Sequence, residues 1–131
     1  MITAFSTPEE FDHLGLYKAF LERETDASGT VVLHHGRVKR PGKKVPDFSK
    51  VELKALVPDV DEKLGELAQR AAEEFGLNQI LLVPRLGTIE SGESVLLAIV
   101  SAATRAKAFA ACAWLVDEVK KEDFIELVEL P

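Results

Sequence analysis

Apolar residues at helical spacing begin near the N-terminus, where Phe11, Leu14, Tyr17 and Leu21 recur every three or four positions. Thr7-Pro8-Glu9-Glu10 ahead of them predicts a helix start, with Thr7 as cap, Pro8 in the first turn and Glu10 where a capping-box side chain belongs. Asp26-Ala27-Ser28-Gly29 ends that unit. Residues 30–35 are β-branched and apolar and predict a strand broken by Gly36, whereas residues 50–56 alternate polar with apolar, as a half-buried strand does. Pro58-Asp59 opens a second helix with Leu64, Leu67, Ala68, Ala71, Ala72 and Phe75 on one face and Gly76 as its stop. Residues 80–83 and 94–101 predict two apolar strands, with Gly87 and Ser91-Gly92 between them pointing to a hairpin. A third helix is expected over residues 104–121, burying Ala108, Cys112, Leu115 and Val119, and residues 124–130 read as a last short strand. This order predicts a single α+β domain over residues 1–131, with a mostly antiparallel sheet and about three helices.

Composition narrows the function classes. The 131 residues are 47% hydrophobic and 29% charged, the profile of a globular chain with a sizeable core. A formal charge of -6, from 16 Lys+Arg against 22 Asp+Glu, argues against general nucleic-acid binding, which neutralises phosphates with basic residues. Cys112 is the one cysteine, so no intramolecular disulfide or cysteine-based metal cluster is expected. The N-terminal residues reach Glu9-Glu10 before an apolar run develops, and no stretch approaches the about 20 apolar residues of a membrane span. These features predict a cytoplasmic protein without membrane association.

The chemistry-bearing residues each have a plain structural reading beside a functional one. His34 and His35 are neighbours on a predicted strand, so their side chains point to opposite faces and cannot chelate one metal together. No metal site is predicted. Cys112 falls on the buried face of the third helix, as an inert apolar residue would. Arg37, Lys39, Arg40, Lys43 and Lys44 cluster in a loop with glycine and proline, fitting either an anion site or a solvated loop. Arg105 opens the third helix, where backbone N–H groups favour anions. Lys120 and Lys121 close it, where cations suit the helix dipole, and a lysine there turns reactive only if its surroundings lower its pKa.

Taken in order, Pro84-Arg85-Leu86-Gly87-Thr88-Ile89-Glu90-Ser91-Gly92-Glu93, Ser101-Ala102-Ala103-Thr104-Arg105-Ala106-Lys107-Ala108-Phe109 and Val116-Asp117-Glu118-Val119-Lys120 resemble the large, catalytic subunit family of molybdopterin synthase. That family shows a His-Arg-x-Gly turn, a Gly-Glu or Gly-Asp hairpin, Ser-x-x-His-Arg with Ala-Phe beyond it, and Asp-x-x-Lys near the helix end. The match is ungapped from Arg85 to Lys120, and Gly29-Thr30-Val31-Val32 with Gly36-Arg37-Val38-Lys39 extends the resemblance to about residues 28–126. It implies conversion of cyclic pyranopterin monophosphate (precursor Z) to molybdopterin. The sulfur comes from a thiocarboxylate on the Gly-Gly C-terminus of a small ubiquitin-like subunit. It also implies a homodimer that needs no cofactor of its own, with Lys120 as the catalytic lysine and Lys39, Arg105, Arg37 and Lys121 as substrate-binding cations.

This chain departs from the family pattern at several positions. Lys39 replaces an arginine, and Pro84 and Thr104 replace histidines. The family's Tyr-Glu-Ala-Tyr strand corresponds to Leu53-Lys54-Ala55-Leu56, and Glu126 stands where the family has a second functional lysine. Two expectations follow: a divergent synthase subunit, or a non-catalytic relative serving as a binding or regulatory partner.

Overall fold

The computed structural model describes residues 1–121 and 123–131, in the order β1 (Ile2–Ala4), α1 (His13–Glu22), β2 (Thr30–Arg37), β3 (Lys50–Ala55), α2 (Val60–Phe75), β4 (Gln79–Pro84), β5 (Gly87–Glu90), β6 (Ser94–Ala102), α3 (Arg105–Val119) and β7 (Ile125–Leu130). The strands form two sheets, one ordered β1-β4-β6-β2 and the other β5-β3-β7. Only the β1–β4 pairing is parallel among these ladders. The result is the expected single α+β domain.

The first sheet is covered on both faces, which is why β4 and β6 read as unbroken apolar runs. On one face Ile80, Leu82, Ala98 and Val100 pack with Leu64, Leu67 and Leu115 of α2 and α3, and the same core takes in Val51, Leu53, Ile89 and Ile125 of the second sheet. On the other face Leu81, Val83, Leu97 and Ile99 meet Phe20, with Leu16 and Tyr17 beside it. Leu115 is fully buried, and truncating such a leucine to alanine removes about 2–5 kcal/mol. The predicted inner faces of α2 and α3 hold, and Gly76 ends α2 at φ 64°, donating its N–H to Ala72 O.

Four local expectations are corrected. Helix α1 begins at His13 with Asp12 as its cap, whereas the Thr7 backbone bridges to Arg85 and its hydroxyl accepts the Glu9 N–H in a local turn. Its inward face is accordingly the half-buried Leu16 and Tyr17 with the buried Phe20, while Leu14 and Leu21 are exposed. The strands at 79–84 and 94–102 do pair antiparallel, but the segment between them is not a simple hairpin loop: β5 leaves to join the second sheet against β3. Strand β1 was hidden in sequence by its three-residue length. Helix α3 stops at Val119, with Lys120 as its cap residue and Lys121 beyond it.

Candidate functional site

Strand β2 sends alternate side chains to the two faces of the first sheet. Val32 joins the core beneath α2 and α3, whereas Val31 and Leu33 join the core beneath α1. By the same alternation His34 faces α3 and His35 faces α1. His35 stacks on His13 with ring centroids 4.2 Å apart, and its Nε2 shares a hydrogen bond of 2.8 Å with Ser94 Oγ. The two histidines therefore stand apart, and among the described residues no group of three His, Cys, Asp or Glu side chains is placed to hold a metal ion.

His34 is the more informative of the pair. Its Nε2 is buried with no hydrogen-bond partner among the described residues. Gly36, next on the same face, leaves room for it, since a Cβ there would come to 3.2 Å of Nε2. Burial, and then the positive charge of Lys120, hold the imidazole's pKa below its ordinary value. His34 and Lys120 thus share one neighbourhood at the C-terminal end of α3.

The two lysines at that helix end have different surroundings. Lys121 is ion-paired with Glu118, which also approaches Arg70 at 3.8 Å, and Arg70 lies over the Trp114 ring at 5.2 Å. Among the described residues, no carboxylate pairs with Lys120, which is exposed. A free ammonium beside a neutral imidazole can stabilise developing negative charge; one neutralised by a carboxylate does so far less well.

The other predicted cations are dispersed. Arg105 is exposed at the opposite end of α3 from Lys120, a separation of about 22 Å along the helix axis. Arg37 spends its guanidinium on Gly92 O, with Nε at 3.2 Å and Nη2 at 3.0 Å, bracing the turn before β6. Lys39 is exposed in the loop between β2 and β3, its Nζ 3.5 Å from Pro41 O. Arg85, in the matched motif, is buried and pairs with Glu10 at 3.5 Å and Glu93 at 3.6 Å, so it ties the N-terminal segment to the β5–β6 turn. Burial raises the Cys112 thiol to about 11, which suits an inert core residue.

Three residues that sequence reasoning missed, or treated only as a defect, have defined places. Lys54 and Glu126 are Cα partners in the β3–β7 ladder, so an ammonium lies beside the position where the resemblance calls for one. Lys54 also approaches Glu52 at 3.7 Å, an exposed contact worth about 0–1 kcal/mol that does not tie it down. Glu129, on the same strand as Glu126, accepts the backbone N–H groups of Lys43, Lys44 and Val45. The alternating charges of residues 50–54 hinted at an outward face, but its partners depend on register.

A family profile described as "MoaE protein" matches residues 6–122. The molybdopterin synthase catalytic subunit of Pyrococcus abyssi (strain GE5 / Orsay) is 31% identical over 122 residues, covering 92% of this chain and 78% of the relative. The crystal structure of molybdopterin synthase from Staphylococcus aureus superposes with a TM-score of 0.82 at 22% identity, over 97% of this chain and 90% of that one. A complex of subunits 1 and 2 of the molybdopterin-converting factor from Helicobacter pylori 26695 has the same fold, with a TM-score of 0.75 at 15% identity, over 98% and 83% of the two chains.

Proposed function

The chain belongs to the MoaE protein family, and we propose that it works as a molybdopterin synthase catalytic subunit. In this reading it converts cyclic pyranopterin monophosphate to molybdopterin with sulfur from a small ubiquitin-like subunit ending in a Gly-Gly thiocarboxylate. The observation that carries the reading is the state of Lys120. It keeps an ammonium without a carboxylate partner among the described residues, while its neighbour Lys121 is ion-paired with Glu118.

The chemistry places specific demands on these residues. Each sulfur arrives as a thiocarboxylate, and the acyl group that carried it ends as a carboxylate. Negative charge gathers on the acyl oxygen and on the substrate phosphate, so cations must be fixed near both. Lys120 serves the acyl group. Lys39, with the basic loop, serves the phosphate, and Lys54 stands in for the ammonium absent at position 126. Arg37 and Lys121 act indirectly, the first by shaping the β5–β6 turn and the second by neutralising the Glu118 carboxylate at the helix end.

Arg105 fits the same site only through a second copy of the chain. Its distance from Lys120, about 22 Å along α3, exceeds what one small substrate spans. A homodimer would bring Arg105 of one copy to Lys120 of the other. Mixing Arg105→Ala and Lys120→Ala chains tests this arrangement: a composite site restores about a quarter of wild-type activity, because half the dimers are mixed and each has one intact site. No recovery on subunit exchange contradicts it.

A second reading, a binding or regulatory partner without synthase activity, draws on Pro84 and Thr104, neither of which can transfer a proton as the family's imidazoles can. Molybdopterin formation with a thiocarboxylated small subunit separates the two readings. Among the described residues no helix is long and apolar enough to cross a membrane.

A further inference from the structure

The loop joining β2 to β3 carries Lys39, Arg40, Lys43 and Lys44 within six residues, all exposed. Such a run of like charges repels itself, and ordering it loses backbone entropy. In this fold the loop is nevertheless tied to the last strand, at its end by Ser49, which donates its N–H to Leu130 O, and within the basic run by Glu129. Glu129, near the end of β7, accepts three consecutive backbone N–H groups: Lys43 N at 2.9 Å to Oε2, and Lys44 N at 2.7 Å and Val45 N at 2.8 Å to Oε1. Successive amides converging on one carboxylate make a small anion nest.

The sequence around the nest is fitted to it. Gly42 donates its N–H to Pro46 O at 3.2 Å, closing the loop on itself. A Cβ at Gly42 would collide with the Glu129 carboxylate and with Val45 O, so only glycine leaves the carboxylate its seat. The bonds from Val45, Lys44 and Lys43, and then the Lys44 charge, hold the Glu129 carboxyl below its ordinary pKa, so it stays ionised near neutrality.

We infer that Glu129 is a positioning residue, a latch that holds the basic loop so that its lysines are presented together to an anionic ligand. It touches no substrate itself. The inference rests on the reading that this loop receives the substrate phosphate, and it adds that a carboxylate on the opposite strand keeps the cations arrayed. An anion at the centre of the loop offsets the mutual repulsion of Lys43 and Lys44 while leaving their side chains exposed.

The test uses the full chain with its thiocarboxylated small subunit, comparing wild type with Glu129→Gln, which keeps shape and removes charge, and with Gly42→Ala, which attacks the latch from the loop side. The first measurement is limited trypsin digestion under native conditions, with thermal melting to confirm that the domain stays folded. Cleavage after Lys43 and Lys44 should rise about fivefold or more in both variants, reflecting local opening of the loop. The second is steady-state kinetics: KM for the phosphorylated pterin should rise about tenfold with kcat within about twofold, the signature of lost binding rather than lost chemistry. Unchanged cleavage in both variants overturns the latch. Raised cleavage with unchanged KM leaves the latch but overturns its positioning role and places the phosphate elsewhere. If the wild type makes no molybdopterin, the synthase reading fails while the digestion still decides the latch.

Discussion

Lys54 and Glu126 are Cα partners across the β3–β7 ladder, so their side chains stand side by side on one face of the second sheet. Each carries the charge opposite to the one the resembling family pattern has at that position, a carboxylate at 54 and an ammonium at 126. Taken singly, Glu126 looked like a lost cation in a site for an anionic substrate. As a pair the two reversals amount to an exchange of places, with one ammonium and one carboxylate kept on the same patch.

The exchange predicts a rescue. Lys54→Glu alone puts two carboxylates opposite each other, lowering kcat/KM at least about tenfold and stability by about 0.2–1 kcal/mol. The double variant Lys54→Glu with Glu126→Lys restores the family arrangement and recovers most of both. A kinetic and thermal double-mutant cycle measures this, and additive losses in the double variant would refute the exchange.

His34 predicts a pH effect on activity. Its imidazole is held neutral by burial and by the Lys120 charge, so protonation on acidification brings a second cation against Lys120. His34→Phe should therefore flatten the acidic limb of the kcat/KM profile below about pH 6.5. An unaltered limb would show that His34 and Lys120 do not communicate.

The His13–His35 stack predicts a pH effect on stability. Burial, then the charges of His13 and Arg37, lower the His35 pKa, so the unfolded chain binds the proton more readily than the folded one. The stabilisation is present above the ordinary imidazole value of 6.5 and is lost as pH falls through the lower folded value. The melting temperature should fall from pH 7.5 to 5.5, and His35→Gln, which keeps a partner for Ser94, should make that fall shallower. An equal fall in both proteins would assign it to other groups.

The fold was legible where burial imposes a period. Leu64 to Phe75 and Ala108 to Val119 each line one helical face, and the unbroken apolar runs of β4 and β6 reflect a sheet covered on both sides. Legibility failed where a tertiary contact outweighed a local signal. Thr7 has the chemistry of a helix cap, yet its backbone bridges to Arg85 and the helix waits for Asp12. The candidate site was proposed from residue types, since Lys120 and Arg105 sit in motifs of fixed spacing. What sequence could not supply is pairing: which of two adjacent lysines meets Glu118, which strand faces Glu126, and which carboxylate seats the basic loop. Those depend on register and on contacts between residues distant in the chain.

The most direct test is formation of molybdopterin from cyclic pyranopterin monophosphate by the purified chain mixed with a thiocarboxylated small subunit, for wild type and Lys120→Ala. A catalytic role for Lys120 predicts product with the wild type and a fall of about a hundredfold or more in the variant, with Lys121→Ala much less affected. Absence of product under conditions where an authentic catalytic subunit works, or a Lys120→Ala variant as active as the wild type, would contradict it.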